Sequence, residues 1–531
     1  MGVLAPSVNE PSPRASGENA AATEKKRNGS GSHQGEADVE TGEGLSRDLH
    51  GRHLQFIAIG AALGTGLFLG IGSALAKSGP GSLLIAFLFI GFVVYSVMVA
   101  LGEMAAYMPV AGAFTVYASR FVDPTLGFAM GWIYWFSWAI TFGLELTAAG
   151  IIIQYWNESL NIGIWIAVFW IIFTAANFLP IRWFGEIEMW LSSIKVITVL
   201  GFILFSICIN AGVGDEGYIG FKYWKNPGAF KEYPINDNYT VTGGVGQFVG
   251  FWAVLITAGF SFQGTELVGI GAGETDNPRK TIPKAIRWTF WGIFGLFIAT
   301  VFFVGINVPS DDLRLLSDAQ NASASPLVIV ARRAGVQVLP SVINAVLLTA
   351  VLSAANSDCY SASRILIGLA EEGHAPKIFK RTNKYGTPYW SVAFCSLFGF
   401  LAFLNLSKDG TVVFNWLLNI TAVAGFITWA LINLCHIRFM KALAYHGYDR
   451  KNLPYEAPFQ PWLSWFGLFF NVLILLTSGF TVFIQWNTSD FFASYVSVIL
   501  FLVLYIGHKF VFRTKIVKLE DVDIVKGTTE Y

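Results

Sequence analysis

The sequence predicts an all-α integral membrane protein with twelve transmembrane helices, and three observations predict it. Of its 531 residues, 54% are hydrophobic and only 13% charged, about half the charged share of a soluble domain. Mean hydropathy is +0.54 over the whole chain, more apolar surface than one buried core can absorb. The apolar residues also gather into twelve runs, most of them near the ~20 residues that a helix needs to cross a bilayer. Thirty-five basic residues balance thirty-five acidic ones, so no net positive field exists to hold nucleic acid. The four cysteines, Cys208, Cys359, Cys395 and Cys435, lie singly in apolar runs, which argues against a disulfide framework or a zinc site.

Residues 1–50 are rich in Ser, Gly, Glu, Asn and Ala without an apolar stretch. They predict a disordered cytoplasmic tail with no signal peptide, so the first crossing must insert the chain. The crossings are predicted near 54–76, 82–102, 125–155, 162–180, 189–211, 247–272, 286–307, 337–369, 390–405, 412–435, 462–485 and 491–512. Together 51–512 form one membrane domain, followed by a cytoplasmic C-terminal tail at 513–531. The third and eighth runs are long enough to tilt or to project into water. The connection 212–246 is polar and too long for a simple turn. A second, 308–336, is polar around Ser310-Asp311-Asp312 and has room for a short surface helix. With the N-terminal tail inside, only eight of the 35 basic residues fall outside, and the positive-inside rule then puts both termini in the cytoplasm. Sequons at Asn157, Asn238, Asn321, Asn405 and Asn487 fall outside in this topology, whereas Asn28 falls in the inner tail and Asn419 within a helix.

The first crossing contains Gly60-Ala61-Ala62-Leu63-Gly64-Thr65-Gly66. Each glycine weakens a helix by about 1 kcal/mol relative to Ala, although close helix packing would also explain small residues here. The sixth crossing resolves that choice. Phe260-Ser261-Phe262-Gln263-Gly264-Thr265-Glu266 places an amide, a glycine and a carboxylate at membrane depth, where an ionisable group marks function by default. Crossings one and six open the two halves of a five-plus-five arrangement, and interrupted helices at matching positions point to a midplane binding site. A half-helix N-terminus suits a carboxylate and unwound carbonyls suit an ammonium. A zwitterion suits both, and an amino acid is the simplest one.

With these residues in view, the chain resembles the fungal (yeast-type) amino-acid permeases of the amino acid–polyamine–organocation transporter superfamily over nearly all of 47–523. The resemblance is carried by "RHLQFIAIGAALGTGLFLGIGSALAKSGPGSLL", "SFQGTELVGIGAGETDNPRKTIPKAI", "LSAANSDCYSASRILIGLA" and "CHIRFMKAL". It implies an inverted-repeat fold and proton-coupled amino-acid uptake at the plasma membrane, without a cofactor. It also implies that backbone N–H groups around Gly64, Thr65 and Gly66 hold the substrate carboxylate. Carbonyls near Ala62, Phe260 and Gln263 would receive the α-amino group, and Phe260 would stand as an aromatic gate. "YWFSWAITFGLEL" and "FNWLLNITAVAGFITW" are similar to fungal basic-amino-acid permeases, in which positions matching Ser137 and Thr421 help separate arginine from lysine. The same resemblance implies ubiquitin-directed endocytosis, with Lys25 and Lys26 as the nearest acceptor lysines.

The remaining intramembrane charges are read one by one. Glu145 lies about 15 Å inward from Tyr155, too deep to snorkel, and Asp358 is comparably deep. Glu145, Glu266 and Asp358 are therefore the candidates for proton coupling or side-chain recognition. Lys195 and Arg364 are expected to snorkel to the inner boundary, and Glu103 to cap or pair there. No histidine pairs with a nucleophile or a second metal ligand, and no phosphate-binding Gly-x-x-x-x-Gly-Lys is present. The reading is a transporter rather than an enzyme: a symporter for arginine and lysine, with a broad-range permease and a permease-like amino-acid sensor as alternatives.

Overall fold

A computed structural model describes residues 58–528, except 111–112, 158, 160, 180, 237–238, 271–277, 317–324, 384–385, 407–409 and 526–527. The predicted tail 1–50, with Lys25 and Lys26, lies outside the described residues, as do Asn238 and Asn321. Ten helical runs are long and apolar enough to cross a membrane. The first, Ala58–Tyr107, has 50 residues, or about 75 Å of helix against a hydrocarbon layer of ~30 Å. It therefore holds two crossings. They meet at Gly79, which takes φ +81°, followed by Pro80, so a tight turn replaces the loop expected between 76 and 82. The second addition to the ten runs is Ile162–Asn177, a short apolar helix of 16 residues and about 24 Å. This completes the twelve.

The others are Pro124–Ile153 (third), Gly185–Asn210 (fifth), Gly243–Gly269 (sixth), Arg279–Asn307 (seventh) and Leu339–Glu371 (eighth). Tyr389–Leu406, Val412–Tyr445, Trp462–Ile484 and Thr488–Phe512 are the ninth to twelfth. Five is an odd number of crossings, so a second set of five enters from the opposite face, and helices one and six run in opposite senses. The third and tenth helices form the centre, with 94% and 83% of their apolar windows buried. The twelfth is peripheral at 17%, which is what lipid-facing Leu, Val and Phe permit. Local signals set several ends: Asp123 caps the third helix by accepting from the Thr125 N–H, with Pro124 at its first position, and Asn487 caps the twelfth.

The polar connection 212–246 contains a two-stranded hairpin, Tyr233–Asn236 against Tyr239–Val241. The short surface helix expected in 308–336 is present as Leu313–Leu316, directly after Ser310-Asp311-Asp312 and with Leu313 80% exposed; a second helix, Pro326–Arg333, is buried from Pro326 to Ala331. The Ser325 hydroxyl donates to the Phe68 carbonyl at 2.9 Å, which ties this connection to the first helix. Both connections are joined by one charged cluster. Arg333 pairs with Glu216 at 2.7 Å and Asp312 at 3.1 Å, Arg314 pairs with Asp312 at 2.6 Å, and the Tyr223 hydroxyl donates to Glu216 at 2.6 Å.

Burial pushes both carboxyls of that cluster up, but the hydrogen bonds outweigh it. Tyr223 and Arg333 hold Glu216, and Arg314 and Arg333 hold Asp312, below the ordinary carboxylate range. A carboxyl depressed by folding contributes stability above its unfolded value of about 4, and loses it as pH falls through the folded value. The tie between the two connections is expected to hold from pH 7 down to about 5, and to release only below about 4. Hydrogen exchange along 212–246 checks this; faster exchange already at about pH 6 would contradict it.

The segment after the twelfth helix packs back onto the domain. Val517 donates its N–H to the Val122 carbonyl at 2.9 Å, Arg438 donates to the carbonyls of Phe121 and Val517, and Val522 and Ile524 are buried.

Candidate functional site

Two helix breaks meet in the middle of the bundle. The first helix is helical over 58–62, bends at Leu63 and Gly64, and resumes through the wide turn Gly66–Gly70; such wide turns recur at functional sites. The sixth helix runs through Leu255–Phe262, opens at 263–266 and resumes at Leu267–Ile270. Gly264 takes φ +96° there, a region that side chains other than glycine rarely adopt. A Cβ on Gly66 would lie 2.6 Å from the Ser261 hydroxyl and 2.8 Å from the Ser261 Cα, so only glycine lets the two interrupted helices touch.

Between the breaks lies a cavity of about 20 Å³, room for little more than one water. Ala62, Gly64, Thr65, Gly66, Ser137, Phe260, Gln263, Glu145, Glu266 and Asp358 all line it. The structure thus brings together ten of the intramembrane residues singled out from sequence. The eleventh, Thr421, lies one layer behind. Its carbonyl accepts from the Gln263 amide at 3.0 Å and from the Ser137 hydroxyl at 3.5 Å, and its hydroxyl accepts from Thr141 at 3.4 Å. Of the three N–H groups expected to hold a carboxylate, that of Gly64 closes a turn onto the Ala62 carbonyl at 3.0 Å.

The three carboxylates differ in what they face. Glu266 is satisfied on both oxygens: Oε1 accepts from the Tyr134 hydroxyl at 3.3 Å and the Gly264 N–H at 3.4 Å, and Oε2 from the Trp429 indole at 3.3 Å. It straps the break of helix six to helices three and ten. Glu145 takes the Thr65 hydroxyl on Oε1 at 2.8 Å, while its Oε2 is buried with no hydrogen-bond partner among the described residues. Asp358 Oδ2 is in the same condition, and so are Gln263 Oε1 and the Trp138 indole N–H. Buried polar atoms left unpaired are costly, and four of them line one small cavity. Such a cavity can receive a molecule with both donors and acceptors.

Lys195 corrects the sequence reading. It does not snorkel: its side chain is 1% exposed, and its ammonium donates to the Gly60 carbonyl at 2.5 Å with Glu188 at 4.0 Å. Glu188 in turn accepts from the Ser353 hydroxyl at 2.8 Å. Helices one, five and eight are therefore joined through a buried charge network that also lies within electrostatic range of Glu145 and Asp358. Glu103, by contrast, pairs as expected, taking Arg450 at 2.7 and 2.8 Å and the Ala457 N–H at 2.6 Å. Lys195→Met keeps the stem but leaves the Gly60 carbonyl without its donor and Glu188 without its counter-charge, a loss of about 1–3 kcal/mol. A fall in thermal stability, absent in Lys195→Arg, is the expected result; a Met variant as stable as the parent chain would contradict it.

Trp138, Thr141 and Ser261 also line the cavity and were not singled out from sequence. A signal existed for Thr141: Ser137, Thr141 and Glu145 recur every four residues and form one polar stripe on an apolar helix. Among the described residues no group of His, Cys, Asp and Glu could hold a metal ion.

Residues 53–521 match the amino acid permease family. A basic amino-acid permease of Saccharomyces cerevisiae is 44% identical over 515 residues, 96% of this chain and 89% of that protein. Lysine/arginine permease CAN1 of Candida albicans is 45% identical over 473 residues, covering 89% and 81% of the two chains. A dicarboxylic amino acid permease of Saccharomyces cerevisiae is nearly as similar, 43% over 488 residues, covering 90% and 79%, so identity alone does not select a substrate. The solved structure of a manganese transporter from Eremococcus coleocola superposes with a TM-score of 0.51 at 13% identity, over 86% of this chain and 93% of that one. That likeness is one of fold.

Proposed function

Because this chain belongs to the amino acid permease family, whose members move amino acids across membranes and are not enzymes, we propose that it is a proton-coupled importer of arginine and lysine. In this reading it sits in the plasma membrane with both termini in the cytoplasm, and the cluster of Glu216, Asp312 and Arg333 faces outside. The observation that carries the cationic substrate is the pair of unsatisfied carboxylate oxygens, on Glu145 and Asp358, at one cavity. A guanidinium or ammonium needs an anionic, hydrogen-bond-accepting environment, and an acidic side chain would meet two like charges there. Hydroxyls of Ser137 and Thr141 line the same wall and accept N–H bonds without adding charge. The ends of the two broken helices take the α-carboxylate and α-amino groups, and Phe260 closes over them. Since the cavity is smaller than any amino acid, binding requires the half-helices around Gly64 and Gly264 to move apart.

Proton coupling is assigned to Glu145. It has a free oxygen at the cavity, it accepts from Thr65 at the break of helix one, and the Lys195 charge lies nearby to hold its site when the carboxyl is neutral. Glu266, held by three donors, is better suited to positioning. The test of the substrate is competition in a permease-deficient host. Excess arginine or lysine is expected to suppress labelled arginine uptake far more than Glu, Pro or Leu. Equal suppression by neutral amino acids would move the assignment to a broad-range permease, dominance of Glu would overturn it, and binding without uptake would make the chain a sensor.

Turnover at the membrane is assigned to ubiquitin-ligase machinery acting on Lys25 and Lys26. Changing both to Arg keeps the charge and is expected to retain the protein at the surface under amino-acid excess. Unaltered internalisation would remove these lysines from the account.

A further inference from the structure

Away from the helix breaks, a cleft of about 200 Å³ opens between the second helix, the start of the seventh and the connection after the tenth. Tyr95, Val99, Arg287, Trp291, Tyr455 and Glu456 form its walls. The guanidinium of Arg287 is exposed and has no ion pair or hydrogen bond among the described residues, and neither do the Tyr95 and Tyr455 hydroxyls. Burial pushes the Tyr455 phenol up to about 12, so it stays a donor at any physiological pH.

The depth of this cleft follows from helix length. The seventh helix has 29 residues, about 43 Å against ~30 Å of hydrocarbon, so its first turns stand among headgroups. Lys280, Lys284, Arg287 and Trp291 are spaced by four, three and four residues, which puts them on one helix face, and all four are exposed. An exposed Trp below a run of cations is the composition of a membrane–water boundary. This face is the one to which the Lys and Arg distribution assigns the cytoplasm. The one carboxylate in the cleft, Glu456, is drawn toward Arg450 at 3.8 Å, so positive charge is in excess.

We infer that this cleft binds one anionic phospholipid of the cytoplasmic leaflet, its phosphate on Arg287 and the two tyrosine hydroxyls and an acyl chain along Met98, Val99 and Trp291. The apolar half of the walls favours a lipid over a free phosphate ion. Lys280 and Lys284 extend the positive stripe toward the headgroup and favour an anionic lipid over a zwitterionic one. The lipid would bridge helix seven to the connection that Glu103 anchors through Arg450 and Ala457.

The test uses the purified full chain, delipidated in neutral detergent and mixed with phosphatidylserine, phosphatidylcholine or inorganic phosphate. Lipid retention is read by native mass spectrometry and melting by a thermal scan. Phosphatidylserine is expected to be retained about fivefold more than phosphatidylcholine and to raise the melting midpoint. Lys280→Gln with Lys284→Gln should erase that preference, whereas Arg287→Gln should lower retention of both lipids and Arg287→Lys should keep most of it. If Arg287→Gln does not fold, the double variant Tyr95→Phe, Tyr455→Phe decides in its place, with the same loss expected. Equal retention of both lipids, an unchanged preference in the lysine variant, unchanged retention in the Arg287→Gln or the tyrosine variant, or the same melting shift with inorganic phosphate would each overturn the assignment. None of these outcomes depends on which amino acid is transported.

Discussion

Glu145→Gln is expected to abolish accumulation of substrate against its gradient while leaving the protein folded and still able to exchange substrate, with weaker binding because only Asp358 of the two unsatisfied carboxylates remains at the cavity. The geometry explains why the effect is selective. Glu145 Oε1 accepts from Thr65, and the amide oxygen of Gln accepts the same bond. The amide nitrogen replaces Oε2, which has no partner among the described residues, so no donor is set against another donor. What disappears is the titratable proton. One unit of pH gradient is worth about 1.36 kcal/mol per coupled proton, a tenfold concentration ratio, and the variant should lose that ratio entirely. Glu266→Gln is the contrast. Both of its oxygens face N–H or O–H donors, so an amide nitrogen must meet one of them, at a cost of about 1–3 kcal/mol. Loss of stability and of surface expression is expected there. Surface-expressed Glu145→Gln that still concentrates substrate would remove Glu145 as the proton carrier.

Gly66→Ala is expected to be nearly as damaging, for a mechanical reason. The added methyl would meet the Ser261 Cα at 2.8 Å and the Phe260 ring at 3.0 Å, and a backbone atom cannot swing aside as a side chain can. Overpacking of this kind costs about 1–3 kcal/mol, and here it pushes apart the two half-helices that form the cavity. Uptake should fall at least about tenfold, equivalent to ~1.4 kcal/mol. Gly201→Ala serves as control, because nothing lies within 4 Å of its Cβ position and Ala favours helix. Equal uptake by the Gly66 and Gly201 variants would show that the close contact of helices one and six is dispensable.

Much of this architecture was legible because a bilayer leaves few alternatives to helices. The breaks were legible for the same reason, since Gly60, Gly64 and Gly66 in one span, and Gln263, Gly264 and Glu266 in another, have no purpose in an uninterrupted lipid-facing helix. What could not be read was rotation. Lys195 was placed by its distance from the end of helix five, which allowed snorkelling; its direction depends on helices one and eight packing against it, a tertiary fact. Thr421 was singled out by resemblance, and it lies behind the cavity wall, bonded to Gln263, Ser137 and Thr141. Glu266 and Glu145 looked equivalent as isolated deep glutamates. Only the positions of Tyr134, Trp429 and Thr65 separate the satisfied carboxylate from the available one. The buried helix Pro326–Arg333 was not legible, because its docking against the domain is a tertiary fact.

In the proposed mechanism a cation-selective cavity at two broken helices couples substrate to protons through Glu145. The most direct measurement is arginine accumulation by the purified chain in proteoliposomes, with the outside one pH unit more acidic and the membrane potential clamped at zero. Internal arginine is expected to rise up to about tenfold above external per coupled proton, a gradient that collapses on addition of a protonophore and is absent in Glu145→Gln. Arginine that only equilibrates, whether or not the pH gradient is imposed, would contradict the mechanism.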